Sequence, residues 1–205
     1  LVVGGGISGL QAAAGLARAG VGVILAEREE RPGGNLKSLG TTFGGGRSAA
    51  ELIQQRMQAI TASAIVNILT DTEVVSLGGV YPRLQASLKT PEGTREVECR
   101  SIILATGFTP FNPAAMKHYA FGKHPDVITA VELADKLKGD RLRRNSNGEE
   151  PDALVFIQCI GSRELRTHTY CSAFCCMYAV HCALQVKERL PRCREVTERG
   201  RVRFL

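Results

Sequence analysis

The first twenty residues, LVVGGGISGLQAAAGLARAG, place a short apolar run before a glycine loop and an alanine- and leucine-rich segment. This order predicts a buried strand, a tight turn and a helix. Gly4, Gly6 and Gly9 have the G-x-G-x-x-G spacing, in which the glycines permit the turn, the approach of a pyrophosphate and the packing of helix on strand. The free N–H groups of the helix would then face the phosphates. The stretch predicts a dinucleotide-binding α/β domain, although ordinary glycine-rich turns share the spacing.

A second apolar run, VGVILAE at residues 21–27, predicts a neighbouring strand that ends in Glu27, eighteen residues after Gly9. An acidic side chain at this place accepts hydrogen bonds from ribose hydroxyls in dinucleotide-binding domains. A solvated glutamate at a strand end is the alternative. The pair Gly33-Gly34 suits either a loop against the ribityl-pyrophosphate part of a large cofactor or an ordinary turn.

A third apolar strand, residues 101–104, leads into Ala105-Thr106-Gly107. The three features in this order resemble the two-dinucleotide-binding-domain flavoproteins, the class of thioredoxin reductase and glutathione reductase. The resemblance implies an α/β fold with an FAD-binding Rossmann-type domain, in which the Ala-Thr-Gly strand returns to the same sheet near the isoalloxazine ring. It also implies that the segment at Glu73 and Val74 passes beside the adenine. The FAD-binding residues implied in this way are Gly4, Gly6, Gly9, Glu27, Arg28, Gly33, Gly34, Glu73, Val74, Ala105, Thr106 and Gly107.

Between the second and third apolar strands, the pattern predicts a helix and a small meander. Ser48 and Glu51 have the spacing of a capping box, at the start of a helix over residues 49–62. Residues 65–79 and 83–93 then predict strands of an antiparallel meander that returns the chain to the Ala-Thr-Gly strand.

A polar segment divides the chain. Residues 139–152 predict a linker, and residues 153–157 predict the buried strand of a second βα unit. We therefore predict an FAD-binding domain with its meander over residues 1–140 and the start of a second, partial Rossmann-type domain over residues 151–205. At the turn after the strand at 153–157, only Gly161 remains of the glycines that a pyrophosphate needs, which argues against pyridine-nucleotide binding there.

Composition narrows the possible functions. The net charge is +6, and a basic surface suits an acidic electron carrier as well as cofactor phosphates. The sequence has no nucleic-acid motif and no tryptophan, so we expect no nucleic-acid partner. No apolar run approaches the ~18 residues of a membrane span and no signal peptide is evident, which predicts a cytoplasmic protein without direct membrane insertion. The chain starts inside a strand and stops in the apolar Phe204-Leu205, so we expect a fragment of a longer polypeptide.

Seven cysteines in a chain without secretory features indicate reduced thiols, metal ligation or redox chemistry. Six of them lie between Cys159 and Cys193. A helix that begins at about Cys171 would place Cys171 and Cys175 on one face with Cys176 beside them, and Cys159 follows the second predicted strand. Four thiolates that converge at one end of a βα unit suit a [4Fe-4S] cluster.

Three alternatives remain for these cysteines. Zinc takes the same four thiolates, although the adjacent pair Cys175-Cys176 suits tetrahedral zinc poorly. A thiol–disulfide centre of the thioredoxin reductase type needs Cys-x-x-Cys, which the sequence lacks. Buried, inert cysteines are the third alternative, and we prefer this interpretation for Cys99, Cys182 and Cys193.

Four longer phrases, FIQCIGSRE, YCSAFCCMYAVHCAL, ATGFTPFNP and HPDVITAVEL, resemble the heterodisulfide reductase A-subunit family and its relatives among the flavoprotein subunits of quinone-interacting membrane-bound oxidoreductase. The resemblance covers nearly the whole chain. It implies that Cys159, Cys171, Cys175 and Cys176 bind a [4Fe-4S] cluster beside the FAD. It implies electron transfer, with flavin-based bifurcation as one form, and as partners iron-sulfur, disulfide-reducing or quinone-reducing subunits and ferredoxin. No catalytic residue is implied, because disulfide reduction belongs to a different subunit of that family.

Two other functions remain open. An NAD(P)H-dependent flavoprotein disulfide reductase would require nucleotide binding at residues 157–163. A non-catalytic zinc or thiol redox module would contain no bound flavin. The sequence also departs from the family pattern, because it lacks ferredoxin-type cysteine runs and has Thr41-Thr42-Phe43-Gly44 where many members have cysteines. The histidines are interpreted as surface or packing residues: His118, His124, His168 and His181.

Overall fold

The structure, a computed structural model, describes residues 1–42, 46–198 and 202–203. Its contacts divide the chain into two compact units. Unit 1 comprises Leu1–Lys37 and Gly46–Phe108, and unit 2 comprises Ser38–Gly45 and Thr109–Leu205. Positions from the sequence interpretation that lie outside the described residues are Phe43, Gly44, Phe204 and Leu205.

Each unit has a regular order of helices and strands. The elements of unit 1 are β1 (Val2–Val3), α1 (Ile7–Arg18), β2 (Val23–Ala26), α2 (Ala49–Thr61), β3 (Val66–Leu69), β4 (Glu73–Val80), β5 (Arg83–Thr90), β6 (Gly93–Cys99) and β7 (Ile103–Leu104). The elements of unit 2 are α3 (Ala130–Lys136), β8 (Ala153–Ile157), α4 (Cys175–Arg189), β9 (Arg194–Glu198) and β10 (Val202–Arg203). Short 3₁₀ helices lie at Gly34–Ser38, Pro113–Ala115 and Lys117–Tyr119.

A parallel sheet in the order β3-β2-β1-β7 forms the centre of unit 1. The helices α1 and α2 pack against each other, and Leu10 and Ile60 are fully buried with Val2 and Leu25 of the sheet. Because all four strands are parallel, their carboxyl ends lie at one edge. The glycine loop follows β1 at this edge, so the predicted Rossmann-type α/β fold places its candidate ligands together.

The antiparallel meander β4-β5-β6 is present as predicted, but one of its predicted strands is divided. Residues 65–79 form β3 in the parallel sheet and β4 in the meander, instead of one strand. Asp71 separates the two with a φ of +49°, and the Thr72 N–H donates to the Glu27 carbonyl (2.8 Å). Residues 70–73, Thr-Asp-Thr-Glu, are polar and interrupt the apolar pattern, and this interruption was the available sequence signal for the change of sheet.

Unit 2 contains a second β-α-β arrangement. The strands β8 and β9 pair in parallel, with Ala153 opposite Arg194, and α4 connects them along the chain. The helix α4 buries Ala179, Cys182 and Val186 in the core of this unit. This arrangement is the second, partial Rossmann-type element of the predicted fold class.

The compact units differ from the predicted domain boundary between residues 140 and 151. Residues 109–140 belong to unit 2, because Leu133 of α3 and Leu137, directly after this helix, share a buried cluster with Phe156 of β8. Apolar side chains of a short helix, rather than a change in composition, decide which unit this part of the chain joins.

The segment 139–152, predicted to be a linker, is bound within unit 2. The Asn145 Nδ2 donates to the Pro125 carbonyl (2.8 Å), and the Ser146 Oγ donates to the Asp126 carboxylate (2.6 Å). Its polar residues therefore form an exposed turn that is tied to a neighbouring loop. One division between the compact units follows Phe108, and the predicted domain boundary stays a prediction.

Across the described part of the chain, no helix combines the length and the apolar character that crossing a membrane requires.

The core position of Leu10 leads to a stability prediction. Leu10 is fully buried, so Leu10→Ala should lower the free energy of unfolding by about 2–5 kcal/mol, through lost apolar burial and the cavity left behind. Urea denaturation measures this change. Val21→Ala is the control, because Val21 is 47% exposed, and it should change the value by no more than about 0.5 kcal/mol. Similar losses in both variants would contradict this core.

Candidate functional site

The glycine loop after β1 brings backbone segments too close together for side chains. A Cβ on Gly9 would overlap the Gly4 carbonyl oxygen, and a Cβ on Gly4 would overlap the Ala105 carbonyl oxygen. Gly4 also has a φ of +103°, a conformation that favours glycine. These two glycines therefore allow the turn and the contact of α1 with the strands, as the spacing predicted.

Gly6 differs from its neighbours because the space beside it is open. The nearest atom to a Cβ on Gly6 would be the Gly34 Cα, at 4.0 Å. The Gly6 carbonyl accepts the first helical hydrogen bond, from the Leu10 N–H (2.9 Å), and no side chain caps the helix. The N–H groups of the first three residues of α1 thus have no acceptor inside the helix. Open space and free donors at a helix start fit the diphosphate of a dinucleotide.

Glu27 follows β2 and is only 6% exposed. Its Oε2 accepts a hydrogen bond from the Gly5 N–H (2.6 Å), and its Oε1 accepts one from the Glu29 N–H (2.9 Å). A carboxylate oxygen can accept more than one hydrogen bond, so capacity remains for ribose hydroxyls. Glu27 thus has a further role that the sequence did not indicate, since it ties the glycine loop to the end of β2.

The pair Gly33-Gly34 lies against the glycine loop. The Gly33 N–H donates to the Gly5 carbonyl (2.8 Å), and Gly33 forms a parallel bridge with Gly6. A Cβ on Gly34 would lie 3.1 Å from the Gly6 Cα. Both glycines of the pair have positive φ angles, of +132° and +53°. The pair therefore forms a close-packed second loop at the predicted site.

Two polar side chains that the sequence interpretation missed stabilise these loops. The Asn35 Nδ2 donates to the Phe108 carbonyl (2.8 Å), which joins the second loop to the chain after Ala-Thr-Gly. The Lys37 ammonium donates to the Glu29 carboxylate and to the Arg31 carbonyl (2.8 Å). The hydrogen bond and charge of Lys37 lower the pKa of Glu29. Single polar residues in loops have no pattern that would have identified them.

The remaining predicted FAD residues lie in or directly after strands of the same unit. Arg28 is exposed directly after Glu27, and Thr106 and Gly107 are exposed after β7. Glu73 and Val74 begin β4. The contacts of these residues with FAD stay predictions.

The helix α4 begins at Cys175, four residues later than predicted. Ala173 has a φ of +56°, which interrupts a helix, and its N–H donates to the Cys171 Sγ (3.3 Å). Cys171 therefore lies in the loop before α4. The prediction that Cys171 and Cys175 lie one turn apart on a helix face is wrong, because α4 begins only after the positive φ of Ala173. The sequence has no glycine or proline that would have marked this interruption.

The four candidate ligand cysteines all belong to unit 2. Cys159 follows β8 with a φ of +61°. Burial and the nearby thiols of Cys175, Cys159 and Cys171 raise the pKa of Cys176. Within residues 1–42, 46–198 and 202–203, no three His, Cys, Asp or Glu side chains are arranged to hold a metal ion. The ligand set stays a prediction.

The other three cysteines differ in burial. Cys182 and Cys193 are buried in the core of unit 2, as predicted for inert thiols, and burial raises the pKa of Cys182 to about 11. Cys99 is half-buried at the end of β6.

Two histidines have more specific contacts than the predicted surface or packing roles. The His181 Nε2 lies 3.2 Å from the Thr41 carbonyl oxygen, and Gln185, one turn further along α4, donates to the Thr41 hydroxyl. The His168 Nδ1 lies 3.0 Å from the Gly161 carbonyl oxygen. His181 and Gln185 are four residues apart and therefore lie on one face of a helix. This spacing was the available sequence signal for their shared contact with Thr41.

The strand, glycine loop and helix, the buried Glu27 and the returning β7 define a Rossmann-type dinucleotide-binding fold. Among solved structures, L-proline dehydrogenase from P. horikoshii is similar, with a TM-score of 0.54 and 15% identity over 100% of this chain and 36% of that chain. This likeness confirms the fold class. The chain belongs to the pyridine nucleotide-disulphide oxidoreductase family, whose model matches residues 1–150.

Curated relatives confirm the resemblance to the heterodisulfide reductase A-subunit family. The chain is 27% identical to a CoB--CoM heterodisulfide reductase iron-sulfur A-subunit of Methanopyrus kandleri, over 93% of this chain and 42% of the relative. It is 35% identical to the A-subunit of the H(2):CoB-CoM heterodisulfide,ferredoxin reductase of Methanothermobacter marburgensis, over 47% of this chain and 16% of the relative. The chain thus spans less than half the length of these relatives.

Two glycines of α1 provide a matched test of the loop geometry. Gly9→Ala should lower the free energy of unfolding by about 1–3 kcal/mol, because the new methyl group overlaps the Gly4 carbonyl. Gly15→Ala should raise it by about 0.5–1 kcal/mol, since a Cβ there meets nothing within 4 Å and alanine favours a helix. Urea denaturation measures both values. Changes of the same sign would argue against the close contact at Gly9.

Proposed function

We propose that this chain binds FAD in unit 1 and serves as a flavin-dependent electron-transfer part of a heterodisulfide reductase-like oxidoreductase. The observation that carries the proposal is the similarity to the Methanopyrus kandleri protein over 93% of the chain. Because so much of the chain is covered, the matched span extends over the segment that holds the four candidate cysteines as well as most of the Rossmann-type unit. Membership of the pyridine nucleotide-disulphide oxidoreductase family supports the same class of chemistry.

The geometry of unit 1 fits FAD. The open space at Gly6 and the free N–H groups of α1 would hold the diphosphate, and Glu27 would accept hydrogen bonds from the ribose. The loops at Gly33-Gly34 and Thr106-Gly107 would lie along the rest of the cofactor. When bound, FAD supplies two-electron chemistry and exchange with one-electron centres.

The same proposal assigns Cys159, Cys171, Cys175 and Cys176 as ligands of a [4Fe-4S] cluster. Two observations support the assignment: the four candidate donors are all thiols, and a backbone N–H donates to the Cys171 Sγ. Hydrogen bonds to cysteine sulfur are one of the ways in which proteins tune such clusters. The cluster supplies single-electron transfer when bound.

The wider function follows from the names of the relatives. Those names contain ferredoxin and CoB-CoM heterodisulfide, and they describe subunits. We infer that this chain acts within a multi-subunit redox complex, with iron-sulfur and disulfide- or quinone-reducing subunits and ferredoxin as partners. Flavin-based bifurcation and a cytoplasmic location belong to the same proposal.

Cofactor content tests the proposal. Anaerobically purified protein should contain FAD together with about four irons and four sulfides per chain. Cys175→Ala and Cys176→Ala should lose iron and sulfide but keep flavin, because these residues lie outside unit 1. Cys99→Ala is the control and should keep both cofactors.

Other cofactor contents would indicate another function. Flavin without iron or sulfide, together with direct flavin reduction by NADPH, would favour an NAD(P)H-dependent disulfide reductase. Zinc without sulfide or flavin would favour a non-catalytic redox module. Either result would overturn the assignment of the [4Fe-4S] ligands.

A further inference from the structure

An aromatic ring covers the turn at which a second Rossmann-type domain would bind a diphosphate. Gly161 lies in this turn with a φ of +73°, and a Cβ on it would lie 2.5 Å from Cγ and Cδ2 and 2.6 Å from Cδ1 of Phe111. Nearly equal distances to these three atoms place the Cβ position above the face of the ring. Gly161 therefore packs flat against Phe111, and a nucleotide cannot reach it from that side.

Core packing alone does not account for the position of Phe111. Its side chain is half-buried, and among the residues that the structure describes it belongs neither to the buried cluster of unit 2 nor to the apolar residues packed around that cluster. The contact with Gly161 instead fixes one particular loop, which runs from Cys159 to Cys171.

His168 completes this arrangement. Its Nδ1 lies 3.0 Å from the Gly161 carbonyl oxygen, and its ring lies edge-on to Phe111 with the ring centroids 6.4 Å apart. His168 also forms a parallel bridge with Ser162, and its ring centroid lies 5.3 Å from that of Tyr170. These contacts join residues near the two ends of the loop.

We propose that Phe111 and His168 are positioning residues: they hold the loop between Cys159 and Cys171, the two cysteines at its ends that are assigned as ligands of the [4Fe-4S] cluster. Position 161 is glycine because the Phe111 ring packs there, rather than because a pyrophosphate binds. An unrestrained loop would have to lose its conformational freedom when the cluster binds, and a closed loop has already lost it. This inference rests on the proposed function, since it requires the cluster.

A pair of glycines isolates the ring contact from backbone strain. Gly161 and Gly148 share a φ of +73°, but a Cβ on Gly148 meets nothing within 4 Å. Gly161→Ala should therefore release the cluster faster than Gly148→Ala when a chelator is added, by about 10-fold, as is typical when the support of a metal ligand is disturbed. In a Phe111→Ala background, Gly161→Ala should have no greater effect than Gly148→Ala, because the ring that it would overlap is gone.

Conservative variants test positioning against simple misfolding. Phe111→Ala and His168→Ala should lose the cluster about 10-fold faster and shift its midpoint potential and EPR spectrum. Phe111→Tyr keeps the ring, and His168→Gln keeps a group that can donate to the Gly161 carbonyl, so both should restore the wild-type spectrum. Bound flavin and far-ultraviolet circular dichroism should be unchanged in all four variants.

The outcomes separate this inference from the function on which it rests. Wild-type protein that contains no iron or sulfide would overturn the proposed function and the inference together. Wild-type protein with the cluster, but with the same release rate, midpoint potential and EPR spectrum in Phe111→Ala and His168→Ala, would overturn the inference alone.

Discussion

The close approach of the glycine loop to its neighbours is the constraint on which unit 1 depends. Gly9 lies against the Gly4 carbonyl, and Gly4 lies against the carbonyl of Ala105, so a side chain at either glycine would separate α1 from the sheet. The Glu27 carboxylate then binds the Gly5 N–H at 2.6 Å and draws the end of β2 to the same place. Helix donors, an acidic acceptor and a returning strand meet at one edge because the backbone can pass this closely.

The two β-α-β arrangements show how one topology supports two kinds of site. In unit 1 the turn after the first strand leaves open space at Gly6, together with free helix donors, which suits a diphosphate. In unit 2 the equivalent turn begins with Cys159, and its glycine is covered by Phe111. In both cases the candidate ligands follow a parallel strand, and the side chains of the turn determine whether they suit a nucleotide or, as proposed for unit 2, a metal cluster.

Much of the candidate site could be predicted because its residues form short, local patterns. The glycine spacing, Glu27 at a strand end and the four clustered cysteines are all readable along the chain. The sequence did not reveal the interruption of the predicted helix at Ala173, because the positive φ there is stabilised by a hydrogen bond to the Cys171 sulfur, and no glycine or proline marks it. The sequence also did not reveal that α3 shares a buried cluster with β8, since this contact depends on apolar burial and not on composition.

The sequence by itself determined the class of fold and the kinds of side chain at the candidate sites. Backbone conformation near glycine and the chemistry of carboxylates and thiols are local properties, so a short spacing is sufficient to predict them. Only the tertiary structure decided which other residues hold these side chains and loops in place. The stacking of Phe111 on Gly161 and the bond from Asn35 to the Phe108 carbonyl join residues that are 50 and 73 positions apart. Such contacts depend on how the chain folds back on itself, which no local pattern records.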